Sequence, residues 1–106
     1  MKSVYFDVES RTIADLVELA PNYYLVIRIN VPKGSRGRGL GSKVLREMLG
    51  DADLEGATLE IHPMPSGGLT RKQLISWYER YGFRMGQSFV SEEPVKVLVR
   101  VPGGVE

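Results

Sequence analysis

Val31-Pro32-Lys33-Gly34-Ser35-Arg36-Gly37-Arg38-Gly39-Leu40-Gly41-Ser42 is the stretch on which the reading of this chain turns. It follows a strand signal, residues 23–31 (YYLVIRINV), which Pro32 ends by removing a backbone donor. It opens a helical pattern in which Leu40, Val44, Leu45, Met48 and Leu49 share one face and Gly50 is placed as terminator. Glycines at 37, 39 and 41 permit positive φ and a close backbone approach to a ligand. They stand just before a helix, where unpaired N–H groups and the positive end of the dipole favour an anion. Arg36 and Arg38 add forked donors for phosphate oxygens. A diphosphate is the expected anion. Two well-known phosphate loops do not fit, however. A Walker A loop needs Gly-Lys-Ser/Thr, and the order here is Gly41-Ser42-Lys43. A dinucleotide fingerprint needs glycine where Ser42 stands, and Glu60, near the distance of a ribose-binding acid, lies inside a strand pattern.

Working outward, residues 3–8 (SVYFDV) read as a first strand from their β-branched and aromatic content. Thr12 and Asp15 resemble a capping box, and Ile13, Leu16, Val17 and Ala20 follow helical spacing until Pro21, so a helix is expected there. Residues 57–62 read as a strand, and Pro63, Pro65, Gly67 and Gly68 force a loop. Thr70 and Gln73 have capping-box spacing and open a helix with Leu74, Ile75, Tyr78 and Tyr81 inward, closed by Gly82. Residues 83–90 and 95–101 are strands, the second with valine at every second position, separated by a turn at Glu92, Glu93 and Pro94. The expected order is β-α-β-α-β-α-β-β. Strand–helix–strand steps of this length favour right-handed crossovers and parallel pairing in the middle, and the last two strands suit a hairpin. An α/β (α+β) fold on a mixed sheet is expected.

The chain has 106 residues, 42% hydrophobic and 25% charged, the balance of one globular domain over 1–106. With no cysteine there is no disulfide, thiolate metal ligand or cysteine nucleophile, and one histidine leaves zinc nearly without ligands, so no metal is expected. A net charge of +1 offers no general field for nucleic acid or anionic membrane, neither of which is an expected partner. Asp7 and Glu9 interrupt the apolar stretch a signal peptide needs, and no apolar run spans a bilayer, so a cytoplasmic location is expected.

Arg36-Gly37-Arg38-Gly39-Leu40-Gly41 resembles the Arg/Gln-x-x-Gly-x-Gly/Ala signature of the GCN5-related N-acetyltransferase (GNAT) superfamily. Val31-Pro32 is similar to that family's Val-x-Pro lead-in, without the spacer. Trp77-Tyr78-Glu79-Arg80-Tyr81-Gly82-Phe83 looks like its Leu-Tyr-Glu-Lys-x-Gly-Phe motif. The resemblance covers about residues 23–101, and the two motifs follow one another with a strand between them.

The resemblance implies an N-acetyltransferase that moves an acetyl group from acetyl-CoA to a primary amine by direct attack, with no covalent enzyme intermediate. The coenzyme would lie where two parallel strands, 23–31 and 57–62, splay apart. The backbone of Ile29, Asn30 and Val31 would pair with the pantetheine arm as an added strand would. Arg36, Gly37, Arg38, Gly39, Leu40, Gly41 and Ser42 would hold the diphosphate. Tyr78 takes the family's tyrosine position, the acid toward the departing thiolate, whereas the bland reading of an inward helical tyrosine is a core residue. The base is open between two residues. His62 aligns with the strand end where N-terminal acetyltransferases of the family carry a glutamate, and histidine's ordinary pKa of ~6.5 suits the task. Glu60, two residues earlier, is the other candidate, and the usual places near Leu25 and Ile27 cannot accept a proton.

The sequence also departs from the family pattern. Only one strand and one helix are expected before the coenzyme strand, which points to a homodimer that completes the acceptor site. Arg71 replaces an asparagine that often contacts the coenzyme, and it would either reach an adenylate phosphate or simply cap the surface. The loop 63–69 is about four residues longer than usual and would form part of an acceptor wall. The acceptor itself, an amine-bearing small molecule or a protein, is open. The competing hypothesis from another class is a GNAT-fold module that binds a partner and catalyses nothing.

Overall fold

The structure is a computed structural model and describes residues 1–30, 40–63, 70–89 and 96–104. β1 (Val4–Asp7) is followed by β2 (Thr12–Ala20), where a helix was expected. Thr12, Ala14 and Leu16 are buried while Ile13, Asp15 and Val17 point the other way, the period of two that a strand requires. Turn chemistry overrides the helical spacing at both ends. Asp7 accepts hydrogen bonds from the amide and the hydroxyl of Ser10 (3.1 and 2.6 Å), and Arg11 adopts φ 59°, which returns the chain antiparallel. Pro21 and Asn22, with Asn22 at φ 61°, make a two-residue turn into β3 (Tyr23–Asn30). Thr12 is thus a buried strand residue whose hydroxyl lies 2.8 Å from that of Ser10 and whose amide donates to the Ser10 oxygen at 3.2 Å, not a helix cap. The order becomes β-β-β-α-β-α-β-β, and an antiparallel meander precedes the first crossover in place of the expected strand and helix.

α1 (Leu40–Glu55) continues through Gly50, the expected terminator. Leu45, Met48, Leu49 and Ala52 keep the buried stripe intact across it, and Gly56 at φ 68° makes the actual stop. β4 (Thr58–Ile61) follows, then α2 (Arg71–Glu79), whose capping box is present in both directions between Thr70 and Gln73. Gly82 at φ 97° turns the chain into β5 (Arg84–Gln87), which pairs antiparallel with β6 (Lys96–Arg100) as the hairpin reading expected.

The six strands run in the order β1-β2-β3-β4-β6-β5. β3 and β4 are parallel, and the neighbours on either side are antiparallel. The crossovers through α1 and α2 advance across the sheet in the same direction, so right-handedness puts both helices on one face. Their apolar stripes meet the sheet there in one cluster that includes Tyr5, Leu16, Val26, Leu59, Ile61, Tyr78 and Phe83. The outer face lacks such a cover among the described residues. Val4, Phe6, Val17 and Ile27 lie on it, each 41–61% exposed, with the Arg28–Asp15 ion pair among them. No helix among the described residues is long and apolar enough to cross a membrane.

Candidate active site

The parallel ladder between β3 and β4 runs from Tyr23↔Thr58 to Val26↔Ile61 and stops. β3 continues four residues further, to Asn30, held on its other side by β2 through Arg28↔Asp15, Ile29↔Ala14 and Asn30↔Ile13. Residues 27–30 therefore offer a free strand edge toward β4, among the described residues. Ile29 is half-buried and Asn30 exposed at that end. His62 is the first residue past the last pair, at the point where the strands part.

Alternation along β4 sends Leu59 and Ile61 into the helix-covered core and Glu60 to the outer face. Glu60 is nevertheless fully buried, because Tyr23, Ser88 and Phe89 close over it. Its Oε1 accepts from the Tyr23 hydroxyl at 2.8 Å and the Phe89 amide at 2.7 Å. Its Oε2 accepts from the Ser88 hydroxyl at 2.8 Å and meets His62 Nε2 at 2.5 Å. Tyr23 and Phe89 stack with ring centroids 4.7 Å apart, sealing the carboxylate. Burial pushes the Glu60 carboxyl up, but the Phe89 amide, His62, Tyr23 and Ser88 together outweigh it and hold the group below its ordinary range. Burial, then the Glu60 hydrogen bond, raise the Tyr23 phenol. The His62 side chain stays 39% exposed.

This network carries a stability prediction. A carboxyl whose folded pKa lies below its unfolded value stabilises the fold in full above that unfolded value, near 4.5 for Glu60. The stabilisation is lost as pH falls through the lower folded value. Urea midpoints at pH 7 and pH 3 are therefore expected to differ more for the native chain than for Glu60→Gln, which carries no such proton. An equal acid loss in both would mean that Glu60 contributes nothing to the pH dependence.

Tyr78 lies on the other side of the sheet. It is 5% exposed on the inward face of α2, its ring edge-on to Phe83 at 5.5 Å and beside Trp77 at 4.9 Å. Burial alone pushes its phenol up to about 12. Arg71 is the first residue of α2, with an exposed side chain. Leu40, Gly41 and Ser42 open α1. Val31, Arg36, Gly37, Arg38 and Gly39 lie outside the described residues, as do residues 64–69 of the long loop. Of the expected site residues, then, Glu60 and His62 come together, Ile29 and Asn30 line the end of the same opening, and Tyr78 occupies the opposite face. Tyr23, Ser88 and Phe89 carry no local sequence signal for a place beside Glu60. They are 37, 28 and 29 residues from Glu60, and only the parallel register, which sets Leu25 beside Glu60, brings Tyr23 within reach.

A mixed sheet with an antiparallel meander, two crossover helices and a parallel pair that parts midway is the fold of the GCN5-related N-acetyltransferases. The solved structures agree. One similar chain is a Klebsiella pneumoniae protein described as an acyl-CoA N-acyltransferase, with TM-score 0.68 and 18% identity over 94% of this chain and 73% of that one. A second is the anti-CRISPR protein AcrVA5, with TM-score 0.68 and 13% identity, covering 92% of this chain and 98% of AcrVA5. A third is the GNAT-family N-acetyltransferase YhbS of Escherichia coli in complex with CoA, with TM-score 0.61 and 14% identity, covering 91% of this chain and 55% of that one. At such identities the likeness is one of fold, and AcrVA5 shows that the fold exists as a solved chain of nearly this extent. No protein-family profile matches the sequence, and no curated protein does.

Proposed function

We propose that the protein transfers an acetyl group from acetyl-coenzyme A to a primary amine by direct attack within a ternary complex. The observation that carries this reading is His62, paired with a buried carboxylate at the point where β3 and β4 part, on the sheet face opposite the buried phenol of Tyr78. Acetyl-coenzyme A supplies a thioester carbon open to a neutral amine, with a thiolate as leaving group. The edge of β3 at Ile29 and Asn30, with Val31 beyond, suits an extended amide-bearing arm. The segment Arg36 to Ser42, leading into the N-terminus of α1, suits the diphosphate, and Arg71 suits a further phosphate. His62 takes the amine's proton, and Tyr78 faces the leaving sulfur.

Calorimetry with acetyl-coenzyme A, followed by thiol release with a panel of small amines and amine-bearing peptides, tests the reading. Saturable binding and release with at least one amine are expected. Binding without release on any amine would make the chain a coenzyme-binding module instead, and absence of binding would overturn both.

In this reading a second copy of the chain covers the outer face of β1, β2 and β3. Val4, Phe6, Val17 and Ile27 form an apolar patch, and the Arg28–Asp15 pair within it carries one charge of each sign, so two copies related by a two-fold axis meet without net repulsion. Light scattering is expected to give a concentration-dependent dimer that Phe6→Lys dissociates. A native chain that remains monomeric at high concentration would refute it.

A further inference from the structure

The geometry assigns Glu60 as the positioning residue that fixes the tautomer of His62, leaving Nδ1 as the nitrogen that accepts the substrate's proton. For catalysis this inference rests on the acetyl-transfer reading above; the tautomer itself does not.

A carboxylate offers about four lone-pair sites. In Glu60 all four are filled, two on each oxygen, by Tyr23, the Phe89 amide, Ser88 and His62. The group is also fully buried. An incoming amine would find neither a free lone pair nor a path to one, so Glu60 is not the base. Its surroundings stabilise the ionised form, and an ionised carboxylate only accepts hydrogen bonds. The nitrogen facing it, Nε2, therefore carries the ring's proton, and the lone pair of the neutral imidazole falls on Nδ1. The other groups closing on the carboxylate are the phenol of Tyr23 from β3 and the hydroxyl and amide that follow β5. Each donates to it, and none competes with His62 as a charge.

The proton balance closes on these residues. The Nδ1 lone pair takes a proton from the substrate's ammonium group, and the electron pair of that N–H bond becomes the lone pair of the neutral amine. That lone pair attacks the thioester carbon, and the C–S bond then breaks with its electron pair on sulfur. The second proton lost by the nitrogen goes with the departing thiolate. The imidazolium so formed has its second N–H already on an anion, and the partly exposed ring returns the extra proton to solvent.

His62 is the sole histidine of the chain, so its imidazole nitrogens give one unambiguous set of NMR signals. The test is long-range proton–nitrogen correlation on the full-length labelled protein at a pH where the ring is neutral. The native chain is expected to show a single tautomer, protonated at Nε2. Glu60→Gln, whose amide both donates and accepts, is expected to give a mixture, with kcat on an amine falling about 10²- to 10⁴-fold at unchanged KM, as when the orienting carboxylate of a catalytic triad becomes an amide. Tyr23→Phe keeps the carboxylate and is expected to retain the Nε2–H tautomer with a smaller loss, which keeps the test decisive should Glu60→Gln fail to fold. A native His62 protonated at Nδ1, an even mixture, or an unchanged tautomer in Glu60→Gln would each overturn the assignment. A locked Nε2–H tautomer in a protein that transfers acetyl to no amine would leave the assignment standing and remove the acetyl-transfer reading.

Discussion

Replacing His62 with glutamine is expected to lower the acetyl-transfer rate at pH 7 by about 10²- to 10⁴-fold, the range a positioned proton acceptor supplies. Glutamine preserves a donor for the Oε2 of Glu60, so the sealed carboxylate is not left short of a partner. What it lacks is a lone pair basic enough to take a proton. A primary amine with a lysine-like pKa of ~10.4 is neutral in fewer than about one molecule in a thousand at pH 7. Without the imidazole, the reaction draws on that fraction alone. The variant's rate is therefore expected to climb about tenfold per pH unit between pH 7 and 9, as solvent takes over the deprotonation. Affinity for acetyl-coenzyme A, measured by calorimetry, is expected to stay unchanged, because His62 lies past the last β3–β4 pair and not along the β3 edge. A variant within about threefold of the native rate at pH 7 would remove His62 from the proton transfer.

The elements that carry the two motifs were legible in the sequence because their signals are local. The capping box at Thr70 and Gln73, the inward Leu74 and Tyr78, the helix opened at Leu40 and the final hairpin all depend on residues a few positions apart. The apolar spacing of residues 12–20 fits either period, and the contacts that decide between them lie outside the segment. Asp7 with Ser10 on one side and Pro21-Asn22 on the other each close a tight turn, and β2 gains a partner strand on both edges. Pro21 suits a helix stop, and Pro-Asn between two apolar runs is equally a turn signal. Gly50 misled for a similar reason. A glycine in open space costs a helix only ~1 kcal/mol, and the buried Leu49 and Ala52 on either side of it outweigh that. The candidate site was half legible. Glu60 and His62 share a strand face by simple alternation, but their division of labour depends on Tyr23, Ser88 and Phe89, which reach the carboxylate from two other parts of the sheet. A count of charges along β4 cannot reveal that a carboxylate has no free lone pair.

Tyr78→Phe is expected to lower kcat by about 10- to 150-fold, the equivalent of the ~1.5–3 kcal/mol that a hydrogen bond to a charged atom contributes. The size of the effect follows from the burial. A phenol pushed up to about 12 holds its proton more firmly than an ordinary tyrosine. Full transfer to a departing thiolate, whose thiol ordinarily ionises at ~8.5, would then run uphill. The same apolar surroundings raise the sulfur's demand for a proton, which narrows the gap without closing it. Tyr78 is therefore expected to act as a hydrogen-bond donor that steadies charge on the leaving sulfur, not as an acid that is spent and recharged in each turnover. Two consequences separate these roles. The native pH–rate profile is expected to show no basic limb from Tyr78 below pH 10, since the phenol is still protonated there. The phenylalanine variant is expected to be impaired by a constant factor across pH 6 to 9, without the pH-dependent rescue described for His62→Gln. The ring itself stays, so its packing against Phe83 and Trp77 is retained, and the thermal midpoint and acetyl-coenzyme A affinity are expected to match the native chain. Native kcat in Tyr78→Phe would make the tyrosine a core residue, and a loss that fades as pH rises would reinstate it as a proton donor.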